Sequence, residues 1–264
     1  MKVVWAPYVA VLRQQLNNSL ARLMTFRVNF VLTVLFDIAS FITFYYTTDI
    51  LFRNISHIGL WKREHFLFFV FWMQSINCVH SGLVAPNFWN LAMEIRTGAL
   101  DFRLLRPLGS LFDVLTAITR PISFLIMPIL VCCLVHYGIC LDFPTGSWVA
   151  LPFLWLISLV LLILLEVLIS MGLFWTHGGD GVNFIRIHCQ QFQRWPDFVY
   201  PKSLRFIFTR LVPLLAAGVF PVRILFGQGS AWEVLFLMLA IVVVWWLIGR
   251  LWIVGVRRYE SVAS

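Results

Sequence analysis

Charged residues are scarce in this chain of 264 residues, since Asp, Glu, Lys and Arg make up only 12% and hydrophobic residues make up 61%. A soluble domain typically carries about 25% charged residues, so the composition argues against that class. A helix that crosses a membrane needs about 20 mainly apolar residues, and several segments are long enough. The composition therefore predicts a polytopic membrane protein.

Lysine next to glycine, which ATP-binding loops require, is missing. The three lysines are Lys2, Lys62 and Lys202, and none follows a glycine. A P-loop needs Gly-Lys so that backbone N–H groups and the ammonium share the phosphates. The glycine-rich run at residues 178–181 lacks the spacing of a dinucleotide loop and predicts a tight turn. We expect no ATP site in this chain.

Catalytic and metal motifs are missing as well. The sequence has no H-E-x-x-H and no G-x-S-x-G, and its five cysteines form no C-x-x-C pair. The histidines do not pair at the spacing of metal ligands. We therefore expect neither a catalytic residue nor a metal site, and we interpret the cysteines as small buried hydrophobes.

Hydrophobic periodicity predicts an all-α integral membrane protein. Residues 1–26 have apolar side chains every three or four positions with polar residues between them, which predicts an amphipathic helix lying in the headgroup region, or else an extension packed on the body. We expect six spans, at residues 28–50, 66–85, 111–137, 148–175, 182–196 and 231–254.

The region before the last span allows two interpretations. In one, a fifth span covers residues 204–222 after a long cytoplasmic loop. In the other, the fifth span is 182–196 and residues 197–224 form a re-entrant hairpin. Prolines at 196, 201, 213 and 221, with Arg205 and Arg210 inside the apolar run, favour broken helices that the protein shields from lipid.

The distribution of positive charge predicts the orientation. Basic residues precede the first span, follow the second and follow the last, whereas residues 138–147 after the third span contain no Lys or Arg. Loops rich in Lys and Arg stay in the cytoplasm. We therefore expect both termini and the loop at residues 87–110 to be cytoplasmic, in a bacterial cytoplasmic (inner) membrane.

Two carboxylates fall within predicted spans, Asp37 and Glu166. An acidic residue at the centre of a span is costly, so it usually faces a partner or a cavity. One hypothesis is that one of them lines a translocation path or pairs across the bundle with Arg120 or Arg210. The other is that each is protonated and hydrogen-bonded within the bundle.

Residues 98–108 (GALDFRLLRPL) resemble the cytoplasmic loop of type-2 ABC transporter permeases, the membrane subunits of ATP-driven exporters. Residues 194–205 (RWPDFVYPKSLR) are similar to the Pro-rich element that precedes the last span of that family. The resemblance extends over nearly the whole chain, because the six-span plan and the amphipathic N-terminal helix fit it too.

The resemblance implies a permease that pairs with a second permease chain, identical or paralogous, and binds two separate ATP-binding subunits. Those subunits would bind ATP and Mg²⁺, so no cofactor is expected in this chain. The loop would be the coupling helix, with Gly98 ending a short helix. The docking residues would be Glu94, Arg96, Gly98, Leu100, Asp101, Arg103, Arg106 and Pro107.

Two simpler possibilities stand beside this one. The charges of the loop could merely solvate it. The chain could also be a proton-driven secondary transporter or channel that uses Asp37 and Glu166, although no internal repeat supports that class.

Overall fold

The computed structural model describes residues 27–106, 109–176 and 180–259, together with residues 11, 13–15, 17–19 and 21. Regular structure in these residues is helical, apart from one isolated bridge between Ile58 and Trp61. The α-helices are α1 (Arg27–Asn54), α2 (Arg63–Leu83), α3 (Ala85–Thr97), α4 (Leu100–Leu104), α5 (Ser110–Thr116), α6 (Met127–Cys140), α7 (Thr145–Ser170), α8 (Asp180–Phe192), α9 (Lys202–Phe206), α10 (Leu214–Leu225) and α11 (Ala231–Arg258). Shorter turns of 3₁₀-helix cover Pro121–Ile126, Met171–Trp175 and Asp197–Val199, and a π-helical turn covers Ile207–Leu211.

Five helical stretches are long and apolar enough to cross a membrane. They are Val31–Asn54, Arg63–Leu83, Pro121–Cys140, Thr145–Trp175 and Ala231–Arg258. A bent pair of helices supplies a sixth candidate if it is counted as one span. The prediction of an all-α integral membrane protein is confirmed.

The helices run between two ends of a bundle. At one end, which we call the hairpin end because the predicted hairpin at residues 197–224 begins and finishes there, the ring of Trp61 packs against Phe198 and Phe226, with ring centroids 5.0 and 5.5 Å away. At the other end, which we call the loop end because the loop at residues 87–110 lies there, the indole Nε1 of Trp252 in α11 donates to the hydroxyl of Ser110 over 3.1 Å. Because α11 begins at the hairpin end and rises about 1.5 Å per residue, the two ends are roughly 30 Å apart.

The third span differs from the prediction of a helix over 111–137. Helix α5 ends at Thr116, and the candidate span begins only at Pro121. The residue before a proline is driven out of the helical region, and Arg120 has φ −122° and ψ +82°. Proline at 121 thus separates α5 at the loop end from the span itself.

The predicted fifth span, 182–196, contains a helix shorter than a membrane. Helix α8 has 13 residues, about 20 Å, against a hydrocarbon core of about 30 Å. The guanidinium of Arg186 in this helix lies 4.7 Å from the ring centroid of Phe88 near the loop end. Beyond the helix, the ring of Trp195 lies 6.0 Å from that of Phe66 near the hairpin end. The segment therefore crosses the bundle with only part of its length helical, and its role as a span stays a prediction.

Residues 202–225 form two helical pieces that meet at an angle of 86°. The break falls at Pro213, which has no N–H to continue the first piece. Phe198 before the pair and Phe226 after it both pack on Trp61, so both ends of the pair lie at the hairpin end. These contacts favour a re-entrant loop over a broken span.

The predicted interfacial helix at residues 1–26 falls largely outside the described residues. Those that are described, residues 11, 13–15, 17–19 and 21, are helical. The hydroxyl of Thr119 donates to that of Ser19 over 3.0 Å, so this helix touches the segment between α5 and the third span.

Candidate functional site

The loop after α2 is built around the end of α3. This helix ends at Gly98, whose φ of +77° lies in the left-handed region that favours glycine. The sequence predicted that Gly98 ends a short helix, and the helix that it ends is longer, with 13 residues. The change of direction at Gly98 leads directly into α4.

Four charged side chains, which we call the ionic clamp, fix the loop: Glu94, Arg103, Arg106 and Asp113. The guanidinium of Arg103 donates to both oxygens of Glu94 at 2.6–2.8 Å and to Oδ2 of Asp113 at 3.1 Å. Arg106 donates to both oxygens of Asp113 at 3.0–3.1 Å. Asp113 is fully buried, so its charge depends on these two arginines.

The clamp keeps Arg103 charged. Burial opposes the charge of its guanidinium, but the hydrogen bonds to Glu94 and the attraction of Glu94 and Asp113 raise the pKa of Arg103 above its ordinary value. Such forked, charge-assisted hydrogen bonds are geometrically specific. The loop is therefore held in one conformation by its own side chains.

Two apolar side chains, which we call the loop tip, project from this framework. Phe102 is 73% exposed and Leu105 is 82% exposed. Residues three apart on a helical turn lie on the same side, so the two form one apolar surface. Arg96 and Arg106 are exposed beside them in the chain. An apolar tip on a rigid charged loop is suited to insertion into a groove of another protein.

The structure divides the predicted docking residues into two groups. Arg96 is exposed, and Arg106 is exposed although it belongs to the clamp, whereas Leu100 is fully buried and Glu94 and Arg103 are largely buried within the clamp. Gly98 and Asp101 are half-buried, and Pro107 lies outside the described residues. The predicted docking residues did not include the loop tip, although two apolar residues three apart in a charged loop indicate an exposed apolar surface.

The loop is joined to the spans behind it. The bond from Trp252 to Ser110 links α5 to α11. Burial and the nearby Asp101 carboxylate raise the pKa of Tyr259, which follows α11 directly. The amide of Asn87 in α3 donates to the carbonyls of Leu115 and Ile118 at 2.7 and 2.9 Å. A force on the loop tip would thus be passed to α3 and α11.

A second group of charges lies inside the bundle, around Glu166. Its carboxylate is 3.0 Å from Nε2 of His80 and 3.2 Å from the guanidinium of Arg186, and it accepts a 2.6 Å bond from Gln190. Glu166 and Arg186 are both almost fully buried, with 3% and 2% of their side chains exposed. Pairing is what makes a buried carboxylate tolerable at this depth.

Glu166 pairs with an arginine that the sequence did not indicate, and the hypothesis for Asp37, Arg120 and Arg210 stays a prediction. Arg210 belongs to the hairpin, and Arg120 is exposed at the start of the third span, whereas α8 brings Arg186 to the carboxylate. The backbone of Asp37 lies in α1, but its side chain is outside the described residues. Arg186 was detectable as a basic residue in the middle of the polar fifth segment.

A small cavity opens beside this cluster. Its lining includes Gln74, Asn77, Gln190 and Gln193 as well as Glu166. Its volume is about 50 Å³, enough for a few water molecules but well below the 300–1,000 Å³ of sites for drug-sized ligands. A translocation path through this point is therefore closed in the present conformation. In the described parts of the chain, no group of three or more His, Cys, Asp or Glu side chains could hold a metal ion.

Comparison with known proteins gives one result. A family model described as "ABC-2 family transporter protein" matches residues 34–263, which is most of the chain. No curated protein and no solved structure matches the chain. The matched range includes the clamped loop, the hairpin and every candidate span except the first three residues of Val31–Asn54. The chain belongs to the ABC-2 transporter family, as a membrane-spanning permease subunit of an ABC transporter.

Proposed function

We propose that this chain is the permease of an ATP-driven exporter. In the complex, each of two ATP-binding subunits would dock on one permease chain, at the loop between residues 94 and 113. Members of the family associate with ABC ATP-binding subunits. The observation that carries the docking site is the loop tip, Phe102 and Leu105, exposed on a loop that the ionic clamp holds rigid.

The contacts behind the loop support a coupling role. Closure of the ATP-binding subunits on ATP would press on the loop tip, and the ionic clamp would prevent the loop from yielding. A movement of the loop would then be passed to α11 through the hydrogen bond between Trp252 and Ser110. It would also be passed to the segment before the third span through the hydrogen bond from Asn87 to Ile118. ATP and Mg²⁺ would be bound by the partner subunits alone.

A second permease chain, identical or paralogous, would complete the complex. In the most apolar stretch of 18 residues in α1, only 6% of the residues are buried within this chain, and in that of α11 only 17% are buried. Their exposed apolar faces leave room for both lipid and a second permease.

The orientation that we propose places the loop and both termini in the cytoplasm of a bacterial cell, with the protein in its cytoplasmic membrane. Arg257 and Arg258 end α11 at the same end of the bundle as Arg96, Arg103 and Arg106 of the loop. Short loops rich in Lys and Arg mark the cytoplasmic side, and the loop at residues 138–147, at the opposite end, carries neither, although the hairpin at that end is itself basic.

Co-purification tests the docking site. A tagged chain is extracted from its native host in mild detergent, as wild type, as Leu105→Asp and as Leu60→Asp. Leu60 is a matched control because it is 80% exposed at the hairpin end. We expect an ATP-binding subunit to co-purify with the wild type and with Leu60→Asp, and at least about a tenfold loss in Leu105→Asp, because a carboxylate cannot enter an apolar groove unpaired. Equal recovery with the two variants would contradict the proposed site.

A proton-driven transporter is the second candidate function. The contact between Glu166 and His80 favours it, because two titratable groups meet inside the bundle beside a water-sized cavity. It predicts transport that persists without ATP and stops when the proton gradient is dissipated. Transport that requires ATP and survives an uncoupler would eliminate it.

A further inference from the structure

A second cavity lies at the hairpin end, between the hairpin and the first turn of α11. Its volume is about 360 Å³, within the range of ligand sites. Four basic side chains line it, Lys202, Arg205, Arg210 and Arg223, along with two acidic ones. The formal charge of the lining is therefore positive.

Each acidic side chain in the lining is already engaged by an arginine. Asp197, 1% exposed, accepts a 2.7 Å bond from Nε of Arg205 at Oδ2, whereas its Oδ1 has no hydrogen-bond partner among the described residues. Glu233 lies 3.1 Å from Arg223 and also accepts from the backbone N–H of Ser230, capping α11. Lys202 and Arg210 have no acidic partner within 4 Å in the part of the chain that the structure describes. Two positive charges in the cavity are thus available to an anion.

Thr209 also lines this cavity and is 6% exposed. Its hydroxyl has no hydrogen-bond partner among the described residues. An unpaired buried hydroxyl is costly, and a ligand oxygen would relieve that cost. It lies in the π-helical turn Ile207–Leu211, a conformation found frequently at functional sites.

Exposed apolar side chains lie in the cavity lining or next to it in sequence, and we call them the rim. Phe206 lines the cavity and is 60% exposed, and Leu211, next to Arg210, is 68% exposed. Trp232, next to Glu233, is 76% exposed, and tryptophan is enriched at the membrane interface. A ligand that satisfies both the cavity and its rim has an anionic head and an apolar tail.

We propose that this cavity binds the phosphate-bearing headgroup of an anionic lipid-like amphiphile, with Lys202 and Arg210 contacting the phosphate and the acyl chain lying along the rim. Basic side chains beside an apolar surface suit such a headgroup, because the phosphate forms charge-assisted hydrogen bonds and the acyl chain stays in contact with apolar groups. Arginine offers a fork of N–H donors that matches phosphate geometry. The cavity is at the opposite end from the loop and takes no part in ATP-subunit docking.

Native mass spectrometry of the full chain, with any subunits that co-purify, tests this proposal. The protein in neutral detergent is titrated with phosphatidylglycerol, and in parallel with phosphatidylcholine of the same chain length. We expect the first phosphatidylglycerol to bind at least about tenfold more tightly, because the choline cation is repelled by Lys202 and Arg210.

Variants locate the binding. Arg210→Gln and Lys202→Gln should each weaken phosphatidylglycerol binding by about tenfold. Arg250→Gln is the matched control: Arg250 is also exposed and lies 5.5 Å over Trp246, much as Arg210 lies 5.9 Å over Phe236. It should leave binding unchanged. Thr209→Val should weaken binding without lowering the thermal stability of the lipid-free protein, because its hydroxyl has no partner to lose.

Three results would overturn the proposal. One is equal affinity for the two lipids. Another is an equal loss in Arg250→Gln, which would show non-specific attraction to basic charge. The last is complete displacement of phosphatidylglycerol by inorganic phosphate, which would show that the cavity takes a free anion and not an amphiphile.

Discussion

Replacing Glu166 by glutamine should destabilise the protein strongly. The substitution keeps the size of the side chain but leaves the guanidinium of Arg186, 2% exposed, without a counter-charge. Breaking a buried ion pair in this way typically costs about 3–5 kcal/mol. The opposite variant, Arg186→Met, should cost less, because His80 at 3.0 Å and Gln190 at 2.6 Å still contact the carboxylate.

The double variant Glu166→Gln/Arg186→Met separates pairing from packing. With both charges removed, the protein should recover most of the loss, because a buried pair replaced by groups of similar volume is often neutral. Unfolding of the detergent-solubilised protein by increasing fractions of sodium dodecyl sulfate, followed by tryptophan fluorescence, gives each free energy. Asp142→Asn is the control: the residue is exposed and has φ +51°, which asparagine tolerates, so the change should stay within about 0.5 kcal/mol. Additive effects of the two single changes would refute the pairing.

Further predictions concern the glycines and the clamp. A Cβ at Gly255 would lie 2.5 Å from the ring of Phe174, so Gly255→Ala should destabilise by about 1–3 kcal/mol, whereas Gly249→Ala, in open space on the same helix, should stabilise by up to about 1 kcal/mol; denaturant titration of both variants checks the difference in sign. Gly98→Ala should cost about 1 kcal/mol in the same titration, because alanine is strained at φ +77°, and no loss would contradict the left-handed turn. Arg103→Met should remove the arginine that Glu94 and Asp113 share and leave Asp113 to Arg106 alone, so hydrogen exchange of residues 98–106 should accelerate while exchange in α7 is unchanged; an unaltered loop would show that Arg103 does not hold it.

Long apolar runs made the spans predictable from the sequence. The predicted spans 148–175 and 231–254 match candidate spans Thr145–Trp175 and Ala231–Arg258 closely, because hydropathy over about 20 residues dominates any local preference. Gly98 was predictable too, since glycine after a helical run favours a left-handed end.

Tertiary pairing was not predictable. Glu166 could be recognised as a costly charge, but its partner depends on how α8 packs on α7, and 20 residues separate Glu166 from Arg186. The same holds for the loop, where Glu94 and Arg103 read as surface charges but pair with each other and with the buried Asp113. Local pattern indicates which residues need partners, and only packing shows which partners they find.

Site-specific photocrosslinking tests the central claim most directly. Benzoylphenylalanine replaces Phe102, 73% exposed in the loop tip, or Leu60, 80% exposed at the hairpin end, and membranes are irradiated before solubilisation. The account predicts an adduct between this chain and an ATP-binding subunit from position 102 and none from position 60. An adduct from position 60 with none from position 102 would contradict both the docking site and the orientation of the protein.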